Sequence, residues 1–303
     1  MVLVTNKSCS VERDGFLAAD GREITLWRWP QSDGRPMLHW AHATGFHGRL
    51  YKPLLDELSV ECNIIAWDMR GHGASADAAD ASTFRGWETY YQDLTALLAK
   101  LDEPVWLGGH SIGATSSIMA AARQPDKVLG LILLEPVIMD SWQSRMLWLS
   151  KLLRRSHRLS LAAGAARRRN VFDSYVSALE NYRGRGGFKT WPESWLEAYV
   201  QHAFIQDGDR LRLACSPLWE SSTFAQTEHN PWPGIRQLKC PVVAIAAERA
   251  STFSSLAQRR LGKILPSAEV RVLAGTTHFL PMEQTELVRD AMLKIMLPKC
   301  SQN

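Results

Sequence analysis

Cysteine is sparse and scattered in this chain: Cys9, Cys62, Cys215, Cys240 and Cys300 are odd in number, and none belongs to a C-x-x-C pair. That distribution argues against a disulfide-stapled scaffold and a thiolate zinc site, and it points to a reducing compartment, so a cytoplasmic location is expected. No apolar run approaches the ~20 residues that a membrane span needs. The first residues show no basic region followed by a long apolar stretch, so no secretory signal is visible, and Asn6-Lys7-Ser8 is not expected to carry a glycan. Cys300 stands fourth from the end, but Ser301-Gln302-Asn303 is polar where prenylation needs aliphatic residues.

An excess of one charge is missing too. A net charge of +4 on 303 residues is small, so no nucleic-acid partner is expected. No nucleotide-binding loop, metal-ligand cluster, internal repeat or low-complexity tract is present, and no cofactor or metal is expected. With 46% of its residues apolar, the chain can build one large core, with or without a smaller appended unit.

The stretch that organises the rest is Pro104 to Ala114. Val105-Trp106-Leu107 is an apolar run of strand type, and Ile112 to Arg123 reads as a helix. Between them lies Gly109-His110-Ser111-Ile112-Gly113, a G-x-S-x-G nucleophile elbow. A strained turn there lifts the Ser111 hydroxyl clear of the sheet and leaves no room for neighbouring Cβ atoms. The Ile112 N–H, at a helix N-terminus, can donate to a developing oxyanion.

Around this centre strands and helices alternate. Phe16–Ala19 and Glu23–Trp29 flank the Asp20-Gly21 turn as a hairpin. Further strands are expected at Met37–Ala41, Asn63–Trp67, Leu129–Leu134, Pro241–Ala246 and Glu269–Leu273. Helices are expected at Leu50–Leu58, Trp87–Leu101, Phe253–Leu265 and Thr285–Leu297. Continuous apolar strands between helices imply a mostly parallel sheet covered on both faces. The alternation stops from Ile138 to about Ile235, where Trp and Arg are frequent. Helices are expected there at Trp142–Leu153, Val171–Tyr182 and Pro192–Phe204.

In these pieces the sequence resembles the α/β-hydrolase family. The carriers are the His42-Ala43-Thr44 loop, Asp68-x-Arg70-Gly71-His72-Gly73, the Ser111 elbow and Gly275-x-x-His278-Phe279, in family order. The resemblance implies a core of residues 1–137 and 236–303, with a helical cap or lid at 138–235. It implies a triad in the order nucleophile, acid, histidine, with Ser111 first and His278 last. His42, His72 and His110 match positions that are usually structural, Asp68 to Gly73 is a loop-bracing motif, and the role of His47 stays open. The second oxyanion donor, beside Ile112, would be Thr44, with Ala43 where the family commonly has Gly.

The acid departs from the commoner pattern. Many relatives carry an Asp after the Pro241–Ala246 strand, whereas Ala247-Glu248-Arg249-Ala250-Ser251-Thr252 has none. Glu135 ends the Leu129–Leu134 strand instead, a location used in the haloalkane dehalogenases. It is the first choice for the acid, with Glu248 and Asp140 as alternatives. A serine nucleophile excludes dehalogenase and epoxide-hydrolase chemistry of the usual type, which needs Asp there.

Trp142, Trp148, Trp191, Trp195, Trp219 and Trp232 fall in the insert, most of them expected to hold a small cap together rather than line a pocket. Trp142, Met146, Leu149 and Leu153 share a helical face, with Arg145, Lys151, Arg154, Arg155 and Arg158 around it. With Arg167-Arg168-Arg169 these make the cap basic. A solvated face is the preferred reading over a membrane-facing lid or attraction for an anionic substrate. The resemblance implies a serine hydrolase cleaving a small or medium hydrophobic ester through an acyl-enzyme. Thioesterase, lactonase, amidase or acyltransferase activity on the same triad, and a non-catalytic small-molecule-binding role, are the alternatives.

Overall fold

The structure, a computed structural model, describes residues 10–139, 160–226 and 229–297. The expected helix Trp142–Leu153 with its basic residues, Asp140 and Cys300 lie outside the described residues. The strands in chain order are β1 (Glu12–Leu17), β2 (Glu23–Arg28), β3 (Met37–Ala41), β4 (Asn63–Trp67), β5 (Val105–His110), β6 (Val128–Leu134), β7 (Val171–Phe172), β8 (Phe204–Asp207), β9 (Arg210–Leu213), β10 (Val242–Ala247) and β11 (Glu269–Leu273). One 8-stranded sheet has the order β1-β2-β4-β3-β5-β6-β10-β11. It opens with the Asp20-Gly21 hairpin; β1/β2 and β2/β4 pair antiparallel, and every pairing from β4 across to β11 is parallel.

The apolar strands divide their side chains between two cores, as period-two pleating requires. Leu38, Trp40, Ile64, Trp106, Ile132, Leu134 and Ile245 point to one face. There they meet α1 (Lys52–Leu58) and the closing helix Thr285–Met296. Ile65, Trp67, Leu107, Leu131, Leu133 and Ala244 point to the other face. They pack on α2 (Trp87–Lys100), α3 (Ile112–Arg123) and the helix Ser255–Ile264. Burying one such Leu or Ile side chain stabilises the fold by about 1.5–3 kcal/mol.

The segment between β6 and the short helix Trp232–Ile235 differs in detail from expectation. Val171–Tyr182 is not one helix: β7 pairs with β9, and the helix Tyr175–Tyr182 starts after Ser174, whose hydroxyl accepts the Ser177 N–H. The helix expected through Phe204 ends at His202, because Phe204 opens β8. β8 turns at Gly208 (φ 60) into β9, giving a 3-stranded sheet β7-β9-β8. The alternation Arg210-Leu211-Arg212-Leu213, buried at the leucines, is the local signal for it.

This insert is tied down by side chains that satisfy buried backbone groups. Trp219 Nε1 donates to the Arg70 carbonyl at 3.1 Å, Trp87 Nε1 to Thr223 at 2.9 Å and Trp232 Nε1 to Met139 at 2.8 Å. Trp195 Nε1 reaches Thr285 Oγ1 at 3.0 Å. His47 accepts the Leu50 N–H on Nδ1, so Nε2 carries the proton and donates to the Tyr199 carbonyl at 2.9 Å.

Candidate active site

Ser111 stands where β5 gives way to α3, at φ 58, ψ −120. A non-glycine residue held there costs about 1–3 kcal/mol and persists only if its surroundings enforce it. They do: the Ser111 N–H donates to the Leu134 carbonyl at 2.9 Å, and the Ser111 carbonyl accepts from the Thr115 N–H at 3.1 Å. The flanking glycines answer to steric need. A Cβ on Gly109 would lie 2.6 Å from the Ala114 nitrogen, and one on Gly113 would run into the Ala41 carbonyl. The elbow leaves Ser111 9% exposed and Ile112 as the first residue of α3, without an intrahelical acceptor for its N–H.

Glu135 and His278 meet. Glu135 leaves β6 in the left-handed region at φ 48, its N–H on the Ile245 carbonyl at 2.8 Å, and its side chain is fully buried. The carboxylate is hydrogen-bonded on both oxygens. Oε1 accepts from the Ala247 N–H and the Ser251 hydroxyl, each at 2.6 Å. Oε2 accepts from the Thr252 N–H at 2.9 Å and from His278 Nδ1 at 3.0 Å. A carboxylate facing Nδ1 keeps the proton there and leaves Nε2 free to accept another. Thr252 Oγ1 also donates to the Glu135 carbonyl at 2.9 Å.

Glu248 lies elsewhere. It is exposed, and its carboxylate accepts the Gly275 N–H at 2.8 Å, bracing the start of the loop that carries His278. Glu283 holds the same loop from its other side, taking the Thr277 N–H at 2.6 Å and the Thr277 hydroxyl at 2.7 Å.

The loop after β3 sits against the elbow because β3 pairs with β5, Ala41 opposite Gly109. His42 clamps it: Nε2 accepts the Met69 N–H at 2.8 Å, so Nδ1 donates to the Ala43 carbonyl at 2.8 Å. Burial, reinforced by nearby His72, holds the His42 pKa well below its usual value. The Phe46 N–H returns to the Ala43 carbonyl at 3.1 Å, closing a turn with Gly45 at φ 78. The Ala43 N–H is engaged by the Tyr51 hydroxyl at 3.3 Å, and the next amide in the turn is that of Thr44.

An aromatic wall surrounds these groups. Phe46 lies 5.4 Å from Trp191 and 6.3 Å from Phe279, ring centre to centre, and Phe279 follows His278. From the insert, Arg168 bonds Glu220 at 2.6 Å and the Tyr199 hydroxyl at 2.7 Å, close behind Gly45. The middle of the Arg167-Arg168-Arg169 run is therefore drawn inside, while Arg169 covers the Phe172 ring at 4.5 Å. Of the tryptophans, Trp195, Trp219 and Trp232 anchor the insert and Trp191 joins the wall; Trp142 and Trp148 lie outside the described residues.

Asp68 to Gly73 braces loops as the motif implies. Asp68 accepts the Gly48 and Ala74 amides at 2.7 and 2.8 Å, and Arg70 forks onto Asp93 at 2.9 and 2.8 Å. Among the described residues, no group of three or more His, Cys, Asp or Glu could hold a metal ion, and no helix is long and apolar enough to cross a membrane.

Four supporting residues carry no expected role in the sequence: Tyr51, Ser251, Thr252 and Glu283. Ser251 and Thr252 had a signal, since hydroxyls fill a loop that lacks the expected Asp. Tyr51 acts across a long sequence separation, and Glu283, six residues from Thr277, sits in no motif that marks it.

The Alpha/beta hydrolase family is matched over residues 38–291. The sequence is 25% identical over 300 residues to a 2-(acetamidomethylene)succinate hydrolase of Mesorhizobium japonicum, covering 94% of this chain and 97% of that one. A monoglyceride lipase of Rattus norvegicus is 29% identical over 133 residues, 42% of this chain and 43% of the relative. A crystal structure of an E-2-(acetamidomethylene)succinate hydrolase superposes with a TM-score of 0.78 at 21% identity, covering 94% of this chain and 98% of the other.

Proposed function

The chain belongs to the alpha/beta hydrolase family, and we propose that within it this protein is a serine hydrolase cleaving a carboxylic ester through an acyl-enzyme. The observation that carries the reading is the His278–Glu135 hydrogen bond, 3.0 Å long onto a fully buried carboxylate, together with a serine held at φ 58 on a strand-to-helix turn. Ser111 Oγ attacks the ester carbonyl while His278 Nε2 takes its proton. Glu135 keeps the ring in that tautomer and stabilises the imidazolium. The amides of Ile112 and Thr44 hold the oxyanion, each worth about 3 kcal/mol of barrier. Collapse expels the alcohol, protonated by His278, and water releases the acid by the same steps in reverse roles.

Residues 138–235 serve as the cap. Phe46, Trp191 and Phe279 support a small or medium hydrophobic substrate, which aromatic surface holds by burial and ring contact. The free thiols of Cys62, Cys215 and Cys240 suit a cytoplasmic enzyme. A second reading, hydrolysis of an acylated amine, draws support from the near full-length likeness to a hydrolase of 2-(acetamidomethylene)succinate. Thioesters, lactones and acyl transfer use the same groups.

The test is turnover of 4-nitrophenyl esters from acetate to decanoate by wild type and Ser111→Ala, with labelling by a serine-directed phosphonate. Turnover and labelling that both vanish in Ser111→Ala support the reading, and the chain-length optimum sizes the pocket. Labelling without ester turnover, with release of amine from N-acyl substrates, favours the second reading. An intact protein that neither labels nor turns over any of these overturns the serine-hydrolase reading and favours the non-catalytic binding role.

A further inference from the structure

The site holds a second histidine that these steps do not use. His110, immediately before Ser111, is fully buried. Its ring lies 4.9 Å from that of His278 and 6.0 Å from that of Tyr51. Its Nδ1 is 2.7 Å from the Tyr51 hydroxyl, and its Nε2 is 2.8 Å from the His278 carbonyl oxygen. The Tyr51 hydroxyl in turn meets the Ala43 N–H at 3.3 Å.

With His110 neutral, the two ends of this chain fix the direction of every bond in it. The Ala43 amide can only donate, and the His278 carbonyl can only accept. Tyr51 Oη therefore accepts from Ala43 and gives its own proton to His110 Nδ1. His110 then carries its proton on Nε2 and donates it to His278. Protonating His110 would remove the Nδ1 lone pair that accepts the Tyr51 proton and set a second cation beside the imidazolium formed on His278. Burial, and His278 itself, keep His110 neutral.

We propose that Tyr51 and His110 are positioning residues for catalysis: a one-way hydrogen-bond chain that sets the oxyanion loop, the elbow and the His278 backbone in one mutual register. The three parts follow β3, β5 and β11; β3 and β5 are paired, but β11 lies three strands away from β5, and backbone pairing alone does not bring its loop to the other two. The acyl-transfer reaction needs all three placed to a fraction of an ångström, because the oxyanion donors and the general base act on the same carbonyl centre. The inference rests on the Ser111–His278–Glu135 reading.

A purely structural role predicts a loss of stability and nothing more. The positioning role predicts a loss in kcat at constant KM, rescue by a side chain that keeps the donor, and non-additivity. The experiment compares wild type with Tyr51→Phe, His110→Leu, His110→Gln and the double variant Tyr51→Phe/His110→Leu, with Ser111→Ala as control. Each is checked for a native near-ultraviolet circular dichroism spectrum and assayed on the best 4-nitrophenyl ester. His110→Leu should lower kcat about 100-fold, the scale expected of a 1 Å misplacement. Tyr51→Phe should lower it about 10-fold, the worth of one lost hydrogen bond, with KM changed by less than about 2-fold in both. His110→Gln, whose amide can still donate to the His278 carbonyl, should recover most of the rate. Adding Tyr51→Phe to His110→Leu should cost nothing more, since the chain is already cut.

Unchanged kcat in folded Tyr51→Phe and His110→Leu would overturn the inference while leaving the triad in place. So would a rise in KM alone, or losses that multiply in the double variant. If His110→Leu does not fold, the near-isosteric Tyr51→Phe decides on kcat alone. Turnover that survives in Ser111→Ala would remove the functional reading and the inference with it.

Discussion

Replacing Glu135 by Gln keeps the side chain's shape and changes one oxygen to an NH2 group. In the native protein both carboxylate oxygens face donors: Ala247 N–H and the Ser251 hydroxyl on Oε1, Thr252 N–H and His278 Nδ1 on Oε2. An amide can answer only one side. With its oxygen towards Ala247 and Ser251, the NH2 opposes the Thr252 amide and turns a donor on His278 Nδ1. His278 then moves its proton to Nε2 and can no longer take one from Ser111. With the amide reversed, the NH2 opposes the buried Ala247 N–H. Each buried donor left facing a donor costs about 1–3 kcal/mol, so the amide settles where the cost is least, and the histidine is misset in one state or mobile in the other. A histidine in the wrong tautomer lowers kcat by ~10⁴, or ~5.4 kcal/mol of barrier. The assay is kcat and KM on the best 4-nitrophenyl ester for wild type, Glu135→Gln and Glu248→Gln, with melting temperatures for all three. We expect Glu135→Gln to lose about four decades of kcat with KM little changed. Glu248→Gln, which takes only the charge from an exposed carboxylate and keeps an oxygen to accept the Gly275 amide, should stay within about 5-fold of wild type. Glu135→Gln retaining activity within tenfold, or Glu248→Gln alone collapsing, would refute the reasoning.

Three further outcomes follow from strain, packing and burial. Ser111→Gly and Ser111→Ala should both be inactive, but Gly should be the more stable by about 1–2 kcal/mol, because it relieves the strain at φ 58 that Ala retains; urea unfolding compares them. Gly113→Ala should lower both melting temperature and kcat, since its Cβ meets the backbone oxygens of Ala41 and His42 at the root of the oxyanion loop; a melting temperature equal to wild type would contradict that crowding. Burial lowers the pKa of His47 and of His72 to about 4. Between pH 4 and 6.5 the unfolded chain therefore binds more protons than the native one. Stability should be full above pH 6.5 and fall towards pH 4, by up to ~1.4 kcal/mol per pH unit for each histidine. Urea midpoints from pH 7.5 to 4.5 would show it, and a flat profile would rule it out.

The framework was legible because its signals are local. Val105 to Leu107, Leu131 to Leu134 and Val242 to Ala246 are apolar on both pleat faces, and only a sheet covered on both sides buries such runs. β7 to β9 were missed for the opposite reason. Two- and four-residue strands carry too short a pattern to outweigh the helical spacing of the residues beside them, and β7 finds its partner, Arg210–Leu213, only far along the chain.

The sequence by itself determined the elbow, because the glycines at 109 and 113 are demanded by contacts within a few residues and by the strand directly beside it. It also narrowed the histidine to His278 and the acid to a short set of carboxylates. Which carboxylate meets the histidine was decided by tertiary structure. Glu135 and Glu248 both follow strand ends, but the left-handed turn at Glu135, the Ser251 hydroxyl and the Thr252 N–H direct that side chain inward, while Glu248 faces out onto Gly275. The link from Ala43 through Tyr51 and His110 to His278 belongs to the same category. Its members are distant in sequence, and each hydrogen bond exists only once the parallel sheet has brought its loops to a common edge.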